Sequence, residues 1–328
     1  MSSIMTNSAA LTALQSLNAT NKSLQDTQAR ISTGYRVSQA SDNAAYWSIA
    51  TTMRSDNQAM STVSDALGLG ASKVDTAYTG MNAAITTINS IKQKLVASYG
   101  QTDASKEKTQ TEITALQAQL KSYADGATFS GTNMLSVSTA SGTAADVKIV
   151  SAFNRDSAGA ASISTIDVNV ESIKLYDSGA APTAKGILDT ARLGLTGAAV
   201  ATASNPTLGA AAAATDTYSV ASLTIFSGGT AASDTQIQQQ MNVVDAALKD
   251  MTNAATTLGA AKSSIDLQKT FTSDLMDSID RGVGQLVDAD MNKESTRLQA
   301  LQVQQQLGIQ ALSIANGSSQ SILSLFRG

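Results

Sequence analysis

Residues 60–95 read MSTVSDALGLGASKVDTAYTGMNAAITTINSIKQKL. Met60, Val63, Leu67, Gly70, Val74, Ala77, Met81, Ala84, Ile88, Ile91 and Leu95 fall alternately three and four residues apart, without a miss. An apolar seam of that period, sustained over 36 residues, is held on one side of a helix only by a left-handed supercoil. The stretch is therefore expected to be a long coiled-coil helix, with Gly70, Ala77 and Ala84 letting partner helices approach closely. The run Gly68, Leu69, Gly70, Ala71, Ser72, Lys73 superficially suggests a phosphate loop, but it lies inside the heptads with no strand before it.

Partners for the seam lie outward on both sides. After a turn around residues 99–103, Ile113, Leu116, Leu120 and Tyr123 form a helical stripe. Far along the chain, Ile237, Met241, Val244, Leu248, Met251, Ala255 and Leu258 make a matching seam. Pro182 and Pro206, the two prolines, both lie between these regions, so nothing interrupts the flanking helices. The expected fold is mainly α: a long antiparallel coiled-coil bundle formed by the N- and C-terminal regions, with a small β-rich insertion domain in the middle. Its seam is Met60, Val63, Leu67, Val74, Met81, Ile88 and Leu95 with Met241, Val244 and Leu248. The insertion, residues 136–233, shifts to Ala, Ser, Thr and Gly, with β-like runs at 147–153, 163–170 and 218–226. The alanine-rich 197–214 stretch is expected to be a loop or short helix. The bundle's chain leaves and re-enters at one end.

The two extremities share an unusual property. No Asp, Glu, Lys or Arg occurs before Lys22, and none occurs from Leu298 to Phe326. Ala10, Leu14, Leu17, Asn21, Leu24, Gln28 and Ile31 form a seam with two polar positions. In the last stretch Ile309, Leu312, Leu323 and Phe326 follow one line, while Leu307, Ala311, Ile314 and Leu325 follow another. A helix apolar on several sides needs neighbours on several sides, and one partner helix offers too little burial to offset the entropy of ordering it. The ends are expected to be loose in a lone chain and to order on each other and on other copies. The interface residues would be Leu11, Leu14, Leu17, Leu24, Ile31, Leu301, Leu307, Leu312, Ile322, Leu325 and Phe326. Glutamines 302 and 304–306 make the last stretch too polar for a membrane span. The first lacks the basic start and continuous apolar run of a cleavable secretory signal. Gly34 is placed to stop the first helix, residues 35–39 to act as a linker, and Ser41 or Asp42 to cap the second. Gly282 and Gly284 suggest a hinge before Leu286.

Histidine and cysteine are both absent, which removes disulfides, thiol nucleophiles, Ser-His-Asp triads and the usual zinc sites together. A net charge of −4 gives no electrostatic support to nucleic-acid binding. Asp288, Asp290, Asn292 and Glu294 imitate the start of a calcium loop, but Lys293 and Gln299 stand where glycine and glutamate are needed. An acidic helix start explains them better. Asp65, Asp75, Asp245 and Asp250 are expected on the bundle's solvated face, and Tyr46 and Trp47 in the joint between domains. No catalytic, cofactor-binding or metal-ligating residues are expected.

The run Arg30, Ile31, Ser32, Thr33, Gly34, Tyr35, Arg36, Val37, followed by Ala40, Asp42, Asn43, Ala44 and Ala45, closely resembles the signature of bacterial flagellins. Asn7, Ala10, Leu11, Leu14 and Leu17 upstream also match. So do Leu258, Gly259 and Ala260, Gln304–Gln306, Ala315 and Asn316, and the closing Leu323 to Arg327. The resemblance covers roughly the first 135 and last 95 residues. It implies a filament subunit, exported unfolded by the flagellar type III apparatus and polymerised at the distal tip. Residues 1–34 with 286–328 would form the inner tube, 35–135 with 234–285 the outer tube, and 136–233 a variable surface domain. The implied partners are other copies, sister flagellins, the export apparatus and its chaperone, the filament cap and hook-junction proteins, with neither nucleic acid nor membrane. Ser263 and Ser264 lie near where the family's Asn-Arg would follow Leu-Gly-Ala, which suggests an alphaproteobacterial-type branch. Receptor-stimulating flagellins carry an Arg and a Glu where this chain has Ile91, Gln93 and Lys94, which implies weak innate-receptor activation. The alternatives are the hook-filament junction protein of the same terminal design, a middle-domain enzyme, for which the metalloprotease histidines are missing, and an adhesin borne on the insertion.

Overall fold

The computed structural model describes residues 7–139, 142–156, 159–179, 185–201 and 206–325, with side chains of the last helix up to Gly317. Two compact units arise, Met1–Ala59 with Leu275–Gly328, and Met60–Asp274. Five helices carry the chain: α1 (Ser8–Thr33), α2 (Ala44–Ser98), α3 (Asp103–Gly126), α4 (Asp234–Val287) and α5 (Met291–Leu325). The dividing points fall within α2 and α4.

In the first unit α1 and α5 pair antiparallel. The Asn7 amide donates to the Ala315 carbonyl (2.8 Å), the Gln305 amide donates to Asn21 Oδ1 (2.8 Å), and Arg30 meets Glu294 at 3.5 Å. Asn7 also caps α1, accepting from Ala10 N at 3.1 Å. The helix stops at Gly34, whose φ of 75° suits glycine and whose N–H closes on Arg30 O. The linker then makes a short antiparallel bridge, Tyr35 to Asp288, flanked by Ala289 N to Gly34 O (2.8 Å) and Arg36 N to Val287 O (2.6 Å). Val37, Ala50, Val283 and Val287 form the small core of this joint, with Met53, Ile279 and Leu286 against it.

Three local expectations are corrected here. Asn43, rather than Ser41 or Asp42, caps α2, accepting from Tyr46 N at 3.1 Å. Asp42 instead turns back to accept from Gln39 N and Ser38 N, and these backbone bonds hold its carboxyl below the usual range. Gly282 and Gly284 do not form a hinge: α4 runs through both, anchored by the buried Val283 and Val287. The break falls at residues 288–290, where Asp290 Oδ1 accepts from Asn292 N and Lys293 N to start α5. Tyr46 and Trp47, expected inside the joint, are 42% and 39% exposed.

The second unit holds the bundle. Asp75 pairs with Lys262 and Lys92 with Asp245, so seventeen residues forward on α2 are seventeen back on α4, an antiparallel register. Lys94 pairs with Glu112 of α3 at 2.7 Å. All of Met60, Val63, Leu67, Val74, Met81, Ile88 and Leu95 are buried. On α4 two ladders share Ile237, Val244, Met251 and Leu258. The buried intermediate positions are Gln240, Ala247 and Ala254, while Met241, Leu248 and Ala255 lie half-buried on the flank. Gly70 faces the middle segment rather than a partner helix, since a Cβ there would stand 2.3 Å from Ile149 Cγ2. On α3 the buried line runs Ile113, Leu120, Ala124, and Tyr123 is partly exposed.

The middle segment begins with a hairpin, β1 (Thr128–Phe129) and β2 (Thr132–Asn133), turned by Ser130 and Gly131 with positive φ. β3 (Ser136–Val137) follows, then the long antiparallel pair β4 (Val147–Arg155) and β5 (Ala161–Val168), with an irregularity between Val150 and Ala152. β6 (Tyr176–Asp177) pairs parallel with β3, and β7 (Ala191–Leu193) lies between β8 (Ala199–Val200) and β9 (Thr217–Tyr218). β10 (Phe226–Ser227) and β11 (Thr230–Ala231) close the segment. The first two β-like runs are thus β4 and β5. The 218–226 run is not a strand: it holds β9, a 3-10 turn at Val220–Ser222 and the start of β10. Among the described residues the 197–214 stretch holds β8 and turns but no helix, and 202–205 lie outside them.

An ion trio fixes the segment's interior. Lys174 is fully buried, with Nζ 2.7 Å from Asp177 Oδ2 and 2.9 Å from Glu171 Oε1. Asp177 Oδ1 accepts from Thr139 N and Gly179 N. Burial alone would raise the Asp177 carboxyl, but Lys174 and these backbone donors outweigh it and hold it well below the ordinary range. Because its folded value is depressed, Asp177 contributes stability above its unfolded value near 3.9 and loses it as pH falls below that. Lys174→Met, which leaves two carboxylates without their buried cation, is expected to cost roughly 3–5 kcal/mol in urea unfolding. Asp177→Asn should lower the urea midpoint at pH 7, with the gap to the unmodified chain narrowing below about pH 4; a gap independent of pH would contradict this.

Candidate functional site

The candidate site is a surface, and it is built on the end helices α1 and α5. Along α1 and α5 the facing side chains are few. Thr27 is buried on α1, and Glu294 and Leu301 on α5, while Leu17 reaches Gly308 closely enough that a Cβ there would lie 3.1 Å from its Cδ1. Leu24, Ile31 and Leu312 are half-buried. Leu11, Leu14 and Leu307 point outward, Leu307 being 58% exposed. Ile322 and Leu325 lie in α5 with side chains beyond the described ones, and Phe326 lies outside the described residues. Both ends are helical in the structure, and each helix is covered on one side only.

Further apolar residues share the outward faces. Val303, Ile309 and Ile314 are all more than half exposed, Ile314 at 73%. Val303 sits between Gln302 and Gln304, outside the apolar ladders. The register between α1 and α5 is marked by polar groups, Asn7, Asn21 and Gln305, and by Arg30 with the buried Glu294, one of whose oxygens has no hydrogen-bond partner.

Glutamines also tether the middle segment, and the apolar pattern did not reveal them. Gln236 is fully buried, donating to Thr207 O and accepting from Ser233 N and Gly209 N. Gln239 donates to Ala213 O and accepts from Tyr218, whose hydroxyl is pushed up to about 12 by burial, while Gln240 donates to Thr224 O. From α3, Gln117 donates to Val220 O and Leu223 O, and Gln110 accepts from Ile225 N. These amides supply the partners a neighbouring strand would have supplied, which is why 218–226 does not extend as one. The signal available was the run Gln238, Gln239, Gln240 beside Gln236 at positions that should be apolar.

An open cleft of about 810 Å³ lies between α3 and the middle segment, lined by Lys121, Tyr176, Lys185 and Asp189 among others. Among the described residues no cluster of three or more acidic groups is arranged to hold a metal ion, and no helix is long and apolar enough to cross a membrane.

Comparison with known proteins places this surface in context. Residues 4–140 match the bacterial flagellin N-terminal helical region and residues 241–326 the bacterial flagellin C-terminal helical region. The chain belongs to the bacterial flagellin family. A flagellin of Brucella melitensis is 48% identical over 328 residues, with all of both chains covered. Flagellin C of Rhizobium meliloti strain 1021 is 49% identical over 335 residues, and a Flagellin A of Rhizobium meliloti 44% over 401, again with full coverage of both. These relatives are alphaproteobacterial, as the residues after Leu258, Gly259 and Ala260 suggested. The flagellin matches take in α1, α2, α3 and α5 and most of α4, and leave out residues 141–240, where the glutamine-tethered strands lie.

The bundle's burial pattern ranks two substitutions. Leu67→Asp places a charge at a fully buried position and is expected to cost roughly 4 kcal/mol or more. Leu248→Asp, on the half-buried flank, should cost clearly less. Circular dichroism during urea unfolding measures both, and equal effects would reject the assigned register.

Proposed function

We infer that the chain is the structural subunit that self-assembles into the bacterial flagellar filament and serves swimming motility. One observation carries the reading. The end helices, which belong to the matched family regions, carry no charge over residues 8–21 and 298–317 and leave Leu11, Leu14, Val303, Leu307, Ile309 and Ile314 exposed in the single chain. Each copy buries them against its neighbours, and repeated head-to-tail contact of one patch with another yields a helical polymer rather than a closed ring. Residues 1–34 with 286–328 form the inner tube, with Leu11, Leu14, Leu17, Leu24, Ile31, Leu301, Leu307, Leu312, Ile322, Leu325 and Phe326 between subunits. Residues 35–135 with 234–285 form the outer tube, and 136–233 face the solvent. The filament is extracellular, and the chain has no enzymatic role.

Its other partners follow from that life cycle: the export apparatus and a chaperone that shields the ends before assembly, then the hook-junction proteins and the cap. Sister flagellins copolymerise with it. In support of sisters, Rhizobium meliloti strain 1021 carries relatives named Flagellin A, B, C and D.

The purified chain, added to short filament seeds, should elongate them without limit, which a junction protein would not do. Removing residues 298–328 should leave a soluble monomer that keeps the bundle's helical signal and no longer elongates seeds. Filaments formed by the truncated chain would refute the role given to the ends.

A further inference from the structure

Asn316 and Gly317 are the single Asn-Gly pair in the chain, and they lie inside the uncharged run of residues 298–326. An asparagine in that position can react with its own backbone, because glycine has no Cβ to crowd the attacking nitrogen. The Gly317 nitrogen attacks Asn316 Cγ, the new C–N bond closes a succinimide ring, and Nδ2 leaves as ammonia with the displaced proton. Water then opens either C–N bond of the ring, leaving aspartate or isoaspartate at position 316. Both products gain a carboxylate, and isoaspartate also adds a methylene to the main chain.

The fold decides when this reaction can run. Inside α5 the Gly317 N–H points along the helix toward the carbonyl four residues back, out of line for Asn316 Cγ, so an intact helix keeps the pair inert. That part of the helix is weak in itself. Asn316, Gly317, Ser318 and Ser319 follow one another, and each favours helix less than alanine does. From α1 the Asn7 amide donates to the Ala315 carbonyl at 2.8 Å, but the Ile314 and Asn316 side chains are exposed. Local opening of this turn frees the Gly317 nitrogen to attack, and burial against another copy closes that route. The product would be badly placed for assembly. Between Arg297 and the end of α5 there is no Lys or Arg, and on α1 none before Lys22, so a carboxylate at 316 finds no cation on either helix. We propose that Asn316 with Gly317 is a self-modification site coupled to assembly: it converts in subunits left unpolymerised, is protected in the filament, and once converted impairs the subunit's addition. The coupling to assembly rests on the filament-subunit reading; the conversion itself does not.

The full chain is kept warm at mildly alkaline pH as dilute monomer and as seeded filaments, and position 316 is followed by peptide mass spectrometry with isoaspartate detection. Conversion in the monomer should outrun that in filaments by about tenfold or more, the difference in local opening between the two states, and should exceed that of every other asparagine. Gly317→Ala, which supplies the missing Cβ, should slow it about tenfold or more with the helical signal kept. Asn316→Asp, which installs the charge directly, should raise the concentration left unpolymerised at equilibrium by about tenfold or more, whereas Asn316→Gln should polymerise as the unmodified chain does. An Asn316 that stays intact in the monomer, equal conversion in monomer and filament, or Asn316→Asp polymerising at the unmodified concentration overturns the proposal while the filament reading stands. Failure of the unmodified chain to elongate seeds overturns the filament reading and the coupling to assembly, whereas conversion in the monomer that Gly317→Ala suppresses would still establish the site.

Discussion

Two helices that carry almost no charge must find each other in one register, and the rest of the molecule follows from how they do it. Apolar contact alone is non-directional, and a ladder of leucines tolerates a slip of one turn. Asn21 with Gln305 and Arg30 with Glu294 oppose the slip, because a shift of one turn would separate these side-chain partners, and Asn7 donates to the Ala315 carbonyl in the same register. Few side chains are buried between the helices, so the pair is held in place rather than strongly stabilised. The apolar remainder, Leu11, Leu14, Val303, Leu307, Ile309 and Ile314 among it, faces outward.

The two units meet that demand differently. The bundle, with its buried seam on α2 and the buried line Ile237, Val244, Met251 and Leu258 on α4, is a conventional packed core. The end-helix unit has a core of a few small side chains around Val37 and Val287. A subunit built this way has a packed body and end helices that are covered on one side only. The middle segment adds a third solution: short strands held by buried amides and the Lys174 trio instead of a continuous sheet. Polar tethers of this kind specify one conformation because any other leaves their donors and acceptors unpaired.

What could be read from the amino acids follows the same divide. The heptads of residues 60–95, the stop at Gly34 and the β4–β5 pair were legible, since each depends on local period or on one residue's backbone preference. The α4 intermediate ladder was not. Met241 and Leu248 are more apolar than Gln240 and Ala247, yet Gln240 is buried because Thr224 O waits for its amide. Period alone does not tell which of two adjacent ladders a neighbour will choose. Asn43 and Asp42 are both good caps in isolation, and only the turn that uses Asp42 to hold Ser38 and Gln39 leaves α2 to Asn43. Gly282 and Gly284 looked like a break because glycine weakens a helix, but burial of Val283 and Val287 carries α4 across them. Among the outward-facing residues of the end helices, the leucine ladders were visible in sequence and Val303 was not.

The central claim is that α1 and α5 gain their stability from neighbouring copies. Amide hydrogen exchange, followed residue by residue on the dilute monomer and on filaments, tests it most directly. The account predicts rapid exchange along α1 and α5 in the monomer, slow exchange along the bundle portions of α2 and α4 in both states, and protection of the end helices once polymerised. End helices as protected in the dilute monomer as in the filament would contradict it.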